Sequence, residues 1–536
     1  MIREKGPLAT RRAEHTTTAT TLIVFFLSAY YLGSIFQVGR RTFWTRGLGD
    51  WIDPYFINFL LEHWYHSLTT FTDPASPPMF FPIRGALGYS HGLVLYAPFY
   101  FLLRPFFHPF QSYGLMLFTV LEIGTVSLYV ALRLVLRLPF VEALLLSAFF
   151  LTSPNVMSGV MGVWSQRGSV FLIPPILLLV FVSQRTSTAA PRAVLAALSG
   201  LLSTLLFAQD FYTAALALLV ALLGFLPLVV IARPPVAAEL TARRWLVPFA
   251  VGTAAGILIF IWLYLAAYRE HPAFSENQVM SELVLRESFD WRRPVDLIRG
   301  LAAYDSIRTF TFVLVLAVLT WIPAFKADRT ARRCALWFLA FSLLVFVIPI
   351  RFGDFSIWTT FFRPVPGLAA IRDPKRIIYL YELAAVLATG LFLARIPRNS
   401  GLRVSAALLL FVLLIAEPNR VAFDFLRPNE TYERWVAAPI EANPACRSFF
   451  ITRASEAYVR RMNADSTMYD IDSMFVALNR SIPTLNGYSA WTPEGWHLGN
   501  PSDPDYEREV ERWIDRYDLS GVCRFDIERR TMRPRP

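Results

Sequence analysis

The feature that most constrains this chain is a series of apolar runs, each about as long as a bilayer is thick. Residues 20–38 carry no charge at all. Further runs lie near 89–107, 111–132, 140–155, 169–183, 193–208, 211–231, 245–267, 309–325, 334–350, 376–395 and 403–417. A helix needs roughly 20 residues to cross about 30 Å of hydrocarbon. Composition agrees: of 536 residues 55% are hydrophobic and 17% charged, against about 25% charged in soluble domains. The expected fold class is an all-α polytopic membrane protein.

The net charge of +11 would suggest nucleic acid in a soluble protein. Here the basic residues fall in short connections between the runs: Arg133 and Arg137; Arg185 and Arg192; Arg233, Arg243 and Arg244; Lys326, Arg329, Arg332 and Arg333; Arg395, Arg398 and Arg403. Such connections stay in the cytoplasm. All of them lie in the cytoplasm only if 89–107 does not cross; if it crosses, all move outside. Pro98, Pro105 and the His91-Gly92 start of that run suit a re-entrant or interfacial segment. The expected topology has about 11 transmembrane helices. The N-terminus is cytoplasmic, and residues 20–38 form an uncleaved signal anchor. Residues 39–110 form one long outer loop. The other outer connections are 156–168, 209–210, 268–308 and 351–375. No nucleic-acid partner is expected.

From 418 the composition turns charged and proline-rich, with no spanning run. Residues 448–452 and 523–527 read as short strands. Residues 506–517 read as a helix with Val510, Trp513 and Ile514 on its apolar side. The expected organisation is a transmembrane domain over 1–417 and a small extracytoplasmic α+β domain over 418–536. In an oxidising compartment Cys446 and Cys523 pair as a disulfide; the alternative is two buried thiols. Cys334 lies in an apolar run and reads as packing.

The chemistry-bearing residues concentrate in the outer segments. Asp53-Pro54 opens a predicted helix that runs to about Thr70. Asp is favoured as an N-cap and Pro at the first helical position, so capping alone would account for the pair, although a cap also fixes where a carboxylate sits. Asp50 follows Gly47-Leu48-Gly49, where the backbone can approach a ligand closely. Along the helix Asn58, Glu62, His66 and Thr69 form a polar stripe. It should face water or a cavity, and a helix lying at the interface would satisfy it equally. Asp210 occupies a two-residue outer turn. Arg372, Lys375 and Arg376 form a basic cluster at the outer mouth of the run at 376. An anionic lipid phosphate would explain it, as would plain headgroup anchoring. Arg84 and Arg167 are weaker candidates for the same role. Glu122 and Glu382 lie within spanning runs. Trp491 and Trp496, in the aromatic stretch 485–498, would stack on a sugar or pack a core. No CxxC, HExxH or glycine-rich phosphate loop is present. No metal site and no cofactor is called for, and a divalent cation remains compatible.

Several short stretches carry a resemblance: Asp53-Pro54 followed by His66-Ser67-Leu68; Phe80-Phe81-Pro82; Thr152-Ser153-Pro154; Pro366-Gly367-Leu368 with RDPKR at 372–376; and LNGYS with PEGW over 485–496. Together with the acidic first outer loop, this pattern resembles the GT-C superfamily of integral-membrane glycosyltransferases, closest to a bacterial glycosyltransferase-like subgroup. The resemblance implies a polyprenyl-phosphate-linked sugar donor and a glycan or lipid-glycan acceptor. It implies transfer at the outer face of a bacterial inner membrane, with a first-loop acid as general base. That acid maps onto Asp53, with Asp50 as the alternative; Glu62 and Asp210 are candidates for a second acid. The donor phosphate would meet Arg372, Lys375 or Arg376. The rival expectations are a transporter or flippase for lipid-linked glycans, or an assembly factor.

Overall fold

The computed structural model describes residues 7–49, 52–161, 165–232, 243–270, 284–285, 288–293, 295, 306–322, 328–362, 364–365, 368, 371, 373–397, 400–416, 427–428, 439–452, 466–489 and 491–535. Among them nine helices are long and apolar enough to cross a membrane. They begin with α1 (Pro7–Ile35), whose apolar part is Thr17–Ile35. Two further apolar helices, Arg308–Leu319 and Gly401–Ile415, are shorter.

The run 89–107 forms no long helix. Only α3 (Ala97–Leu103) is helical within it beyond a short 3-10 turn at its start. Pro98 sits in the first turn of α3, and Pro105, which has no N–H to give, follows its end. Ahead of it lies α2 (Asp53–Thr70), which buries Asn58, Glu62, His63 and Ser67 along with its apolar residues. Of the predicted polar stripe, Asn58 and Glu62 are buried, His66 is half-buried and Thr69 is exposed. Glu62 takes hydrogen bonds from Tyr100 of α3 and from Arg104 Nε, the latter at 2.5 Å. This ties α2 to α3.

The apolar helices continue as α4 (Pro109–Leu134), α5 (Phe140–Leu151) and α6 (Ile173–Arg185). They go on through α7 (Ala189–Gln209), α8 (Phe211–Val220), α9 (Arg243–Glu270), α10 (Ser306–Leu319), α11 (Arg329–Val347), α12 (Ile377–Arg395) and α13 (Gly401–Ala416). Helix α12 is the axis. Its apolar window is 89% buried, against 17% for α9 on the periphery. Before α6, residues Ser165–Leu172 form a buried 3-10 stretch. Pro174 and Pro175 follow it and cannot supply the N–H groups an α-turn there would need. The carboxylate of Glu122 in α4 accepts from Ser28 of α1 at 2.7 Å, and Glu382 is buried on α12.

The C-terminal region builds a four-stranded sheet from β1 (Glu441–Ala442), β2 (Ser448–Ile451), β3 (Val522–Asp526) and β4 (Thr531–Pro534). Their spatial order is β1-β4-β3-β2, with β2 parallel to β3 and β3 antiparallel to β4. Cys446 and Cys523 are joined by a disulfide beside β2 and β3. Helix α15 (Tyr506–Arg516) buries Val510, Trp513 and Ile514. Helix α14 (Ser466–Arg480) is not foreseen from the sequence. It reaches α2, where Phe475 stacks on Tyr55 at 4.6 Å and meets Phe59 edge-on at 5.5 Å.

A second contact joins the two parts. The backbone of Phe80 and Phe81 donates to the carbonyls of Asn486 and Thr484 at 3.1 and 3.0 Å, and Thr484 N donates to Pro78 O at 3.1 Å. Trp513 Nε1 adds a bond to Phe81 O at 2.8 Å. The close fit depends on Gly487, where a Cβ would stand 2.5 Å from the Phe80 ring. The short motifs around 80 and 485, far apart in sequence, are thus one structural unit.

Candidate functional site

Asp53 is the first residue of α2. The cap position belongs to Ile52, which makes no capping bond, so the N-cap role expected for Asp53 is not the one it plays. Its half-buried carboxylate instead accepts from the hydroxyl of Tyr488 at 2.8 Å. The next residue, Ser489, donates from Oγ to the carbonyl of Tyr89. Residues 488–489 therefore bridge the start of α2 to the loop that carries His91.

That loop is fixed at several points. Trp64 Nε1 donates to Gly92 O at 2.7 Å, and Tyr264 OH to Ser90 O at 3.1 Å. The side-chain oxygen of Gln209 accepts from the backbone N–H groups of Leu95 and Tyr96 at 2.9 and 3.1 Å. Gly92 permits the approach: a Cβ there would lie 2.4 Å from Ala208 O. The outcome is that His91 is pressed against the α7–α8 turn, with Nδ1 3.2 Å from Oδ1 of Asp210.

Asp210 is the N-cap of α8 and accepts from Tyr212 N at 3.2 Å. Thr213 donates its hydroxyl to the other carboxylate oxygen, and Tyr379 of α12 bonds the same hydroxyl at 2.8 Å. Asp210 is 1% exposed and the His91 side chain 21%. Burial by itself would raise the Asp210 carboxyl. The adjacent His91, the Thr213 bond and the nearby Arg376 guanidinium outweigh it and hold the carboxyl below its ordinary range. Asp210 is therefore a buried, ionised anchor with a partly open imidazole before it.

Arg376 lies in the same cluster. Its guanidinium covers the Tyr212 ring at 4.8 Å and meets Asp373 Oδ2 at 3.4 Å. The ring of His91 meets Tyr212 edge-on at 6.2 Å. Arg167, from the 3-10 stretch, is buried with its guanidinium 5.6 Å from the Tyr379 ring. Lys375 is half-buried, with Nζ 5.7 Å from the Phe289 ring. Arg84 is exposed. Arg372 and Asp50 lie outside the described residues.

Other expected site residues take different roles. Glu62 is committed to Tyr100 and Arg104, so it locks two helices and does not line an open cavity. His66 is half-buried near the end of α2. Trp496 is buried; its Nε1 donates to Leu485 O at 2.9 Å and its ring meets Phe80 edge-on at 4.9 Å. It is therefore core, not a sugar platform. Trp491 is half-buried against that core. The sequence reads as lacking an Asp-x-Asp motif, but one stands at 470–472 and another at 503–505. The first is buried, and Asp470 accepts from Asn486 Nδ2 at 3.1 Å. Among the described residues no group of three or more acids, histidines and cysteines is placed to hold a metal ion.

The residue that sequence reasoning missed as chemistry is His91. It stood out only as the start of a segment that does not cross. The available signal was the glycine after it, which allows the loop to press against another helix. In comparisons with known proteins, no family model matches this chain and no curated protein matches it.

Proposed function

We propose that this protein is a membrane glycosyltransferase that moves a sugar from a polyprenyl-phosphate-linked donor to a glycan or lipid-glycan acceptor. One observation carries the reading. A carboxylate held in place, Asp53, and a buried anionic and cationic cluster, Asp210 with Arg376, are joined through residues 488–489 and 89–91 at one end of an apolar bundle. Asp53 takes the acceptor hydroxyl proton, the oxygen attacks the anomeric carbon, and the lipid phosphate leaves toward Arg376 and Lys375. Arg372 belongs to the same basic run in sequence. A divalent cation is not required by this scheme.

In this reading the nine long helices and the two shorter ones make eleven crossings. The N-terminus lies in the cytoplasm, and the C-terminal α+β region lies outside it as a domain over the site. This places the active end where lipid-linked donors present their phosphates on the outer face of a bacterial inner membrane. A second reading, a transporter or flippase for lipid-linked glycans, draws on the buried Glu122 and Glu382 in spanning helices.

The test uses membranes holding the full chain, a labelled polyprenyl-phosphate sugar and extracted acceptors. Turnover that falls at least a hundredfold in Asp53→Asn supports the enzyme. Lipid-linked glycan moved across vesicles without any sugar transfer supports the transporter.

A further inference from the structure

His91 is not used by the sugar-transfer scheme, yet its placement is specific. Its Nδ1 faces the buried Asp210 carboxylate, which fixes the ring and leaves Nε2 on the opposite edge. Among the described residues Nε2 has no hydrogen-bond partner, and the side chain is 21% exposed. Arg376 belongs to the same cluster: its guanidinium covers the Tyr212 ring that His91 meets edge-on.

The charges facing His91 come from several elements. The α7–α8 turn contributes Asp210 and Tyr212. The start of α12 contributes Arg376 and Tyr379, with Asp373 and Lys375 just before it, and the 3-10 stretch contributes Arg167. Helix α9 contributes Tyr264, through its bond to Ser90 O. Asp210 and Asp373 balance Arg376 and Arg167, and Lys375 adds one positive charge. Protonation of His91 adds a second, on a side chain that is partly exposed.

We propose that His91 and Arg376 form a phosphate subsite, with Asp210 as its positioning residue, and that the subsite fills when His91 is protonated. In the imidazolium form Nδ1–H donates to Asp210 and Nε2–H donates to a phosphate oxygen, so the ring bridges the two anions. In the neutral form, with Nδ1–H kept on Asp210, Nε2 presents a lone pair that repels the same oxygen. Affinity therefore rises as pH falls through the imidazole titration. The ligand chemistry is a phosphate at a membrane surface. Its identity as a polyprenyl phosphate rests on the sugar-transfer reading, whereas the subsite itself does not.

The experiment measures binding without turnover, so failure of the sugar-transfer reading and failure of the subsite are separate results. The full chain in nanodiscs is titrated at pH 6 and pH 8 with three probes: a polyprenyl phosphate, phosphatidylglycerol and inorganic phosphate. Wild-type affinity is expected to fall by about tenfold between the two pH values. The second ionisation of the polyprenyl phosphate and of inorganic phosphate, at about pH 6–7, is common to every variant and is subtracted through His91→Gln; phosphatidylglycerol, a diester, has none. His91→Gln is expected to bind weakly with that residual slope alone. His91→Arg, which keeps the positive charge, is expected to bind tightly at both pH values. Dependence on His91 for any of the three probes supports the subsite and identifies the phosphate source. Equal affinity and slope in wild type and His91→Gln for all three overturns it.

Discussion

Tyr488 gives its hydroxyl hydrogen bond to Oδ1 of Asp53 at 2.8 Å, across 435 residues of chain. The bond explains why an aspartate at the start of α2 is not spent on capping. It also fastens the C-terminal region to the carboxylate on which the proposed chemistry depends. A hydrogen bond to an ionised group contributes about 1.5–3 kcal/mol, enough to hold one rotamer of Asp53.

Asp53→Asn is expected to lower turnover by about 10²–10⁴-fold, the usual contribution of a general base. Tyr488→Phe keeps the carboxylate but frees it, and is expected to lower turnover by roughly tenfold, about 1.4 kcal/mol in the barrier. Sugar-transfer rates in membranes holding each variant check both. Tyr488→Phe that costs as much as Asp53→Asn would mean the bond, not the base, is what matters.

Gly487→Ala is expected to loosen the junction between residues 78–81 and the C-terminal region. The added Cβ would stand 2.5 Å from the fully buried Phe80 ring, and overpacking of this kind costs about 1–3 kcal/mol. Hydrogen exchange should quicken at the Phe80, Phe81 and Thr484 amides, which form the junction, and remain unchanged in α12.

At the other end of the bundle Arg403 makes a bidentate ion pair with Glu142, with Nη2 2.6 Å from Oε2; both residues are buried. Removing one partner strands a buried charge, at about 3–5 kcal/mol. Glu142→Gln should therefore lower the thermal unfolding midpoint in detergent strongly. The double variant Glu142→Leu with Arg403→Met should recover most of the loss, because the desolvation cost goes with the pair.

Acid should weaken the α2 region. His63 is buried, and its imidazole is lowered to about 4, mainly by desolvation, while the unfolded value is 6.5. A depressed folded value means the stabilisation is complete above pH 6.5 and is lost as pH falls from there toward 4. The full loss is about 3 kcal/mol. His63 Nε2 lies 3.0 Å from Pro74 O, so His63→Gln retains a donor without a titration. Unfolding midpoints measured from pH 7 to pH 4 should fall less steeply in this variant than in the wild type.

Much of the helical frame was legible because the solvent itself writes it into the chain. Runs such as 111–132 and 376–395 must be long, apolar and helical to cross hydrocarbon, since no water is there to bond the backbone. The prolines at 98 and 105 likewise announced that 89–107 would break up. The strands near 448 and 523 showed through their alternation with turn formers. Helix α14 did not show. Its buried Asp470, Asp472 and Ser473 interrupt the apolar face that a sequence pattern relies on.

The candidate site was legible only in its parts. Asp53, Asp210 and Arg376 were each identifiable as polar groups in the connections between apolar runs, but nothing in their spacing said which would meet. Glu62 looked like cavity lining and proved to be a helix lock, because Tyr100 and Arg104 reach it from α3. Trp496 could read as a sugar platform or as core, and it is buried with Phe80 packed on it. The sequence by itself determined that this chain forms helices long and apolar enough to cross a membrane, through the length of its apolar runs. Only the tertiary structure decided that His91 faces Asp210 and that Tyr488 holds Asp53. Those pairings come from a glycine-permitted loop contact and a docking interface, and both are made between residues more than a hundred positions apart, beyond the reach of any local pattern.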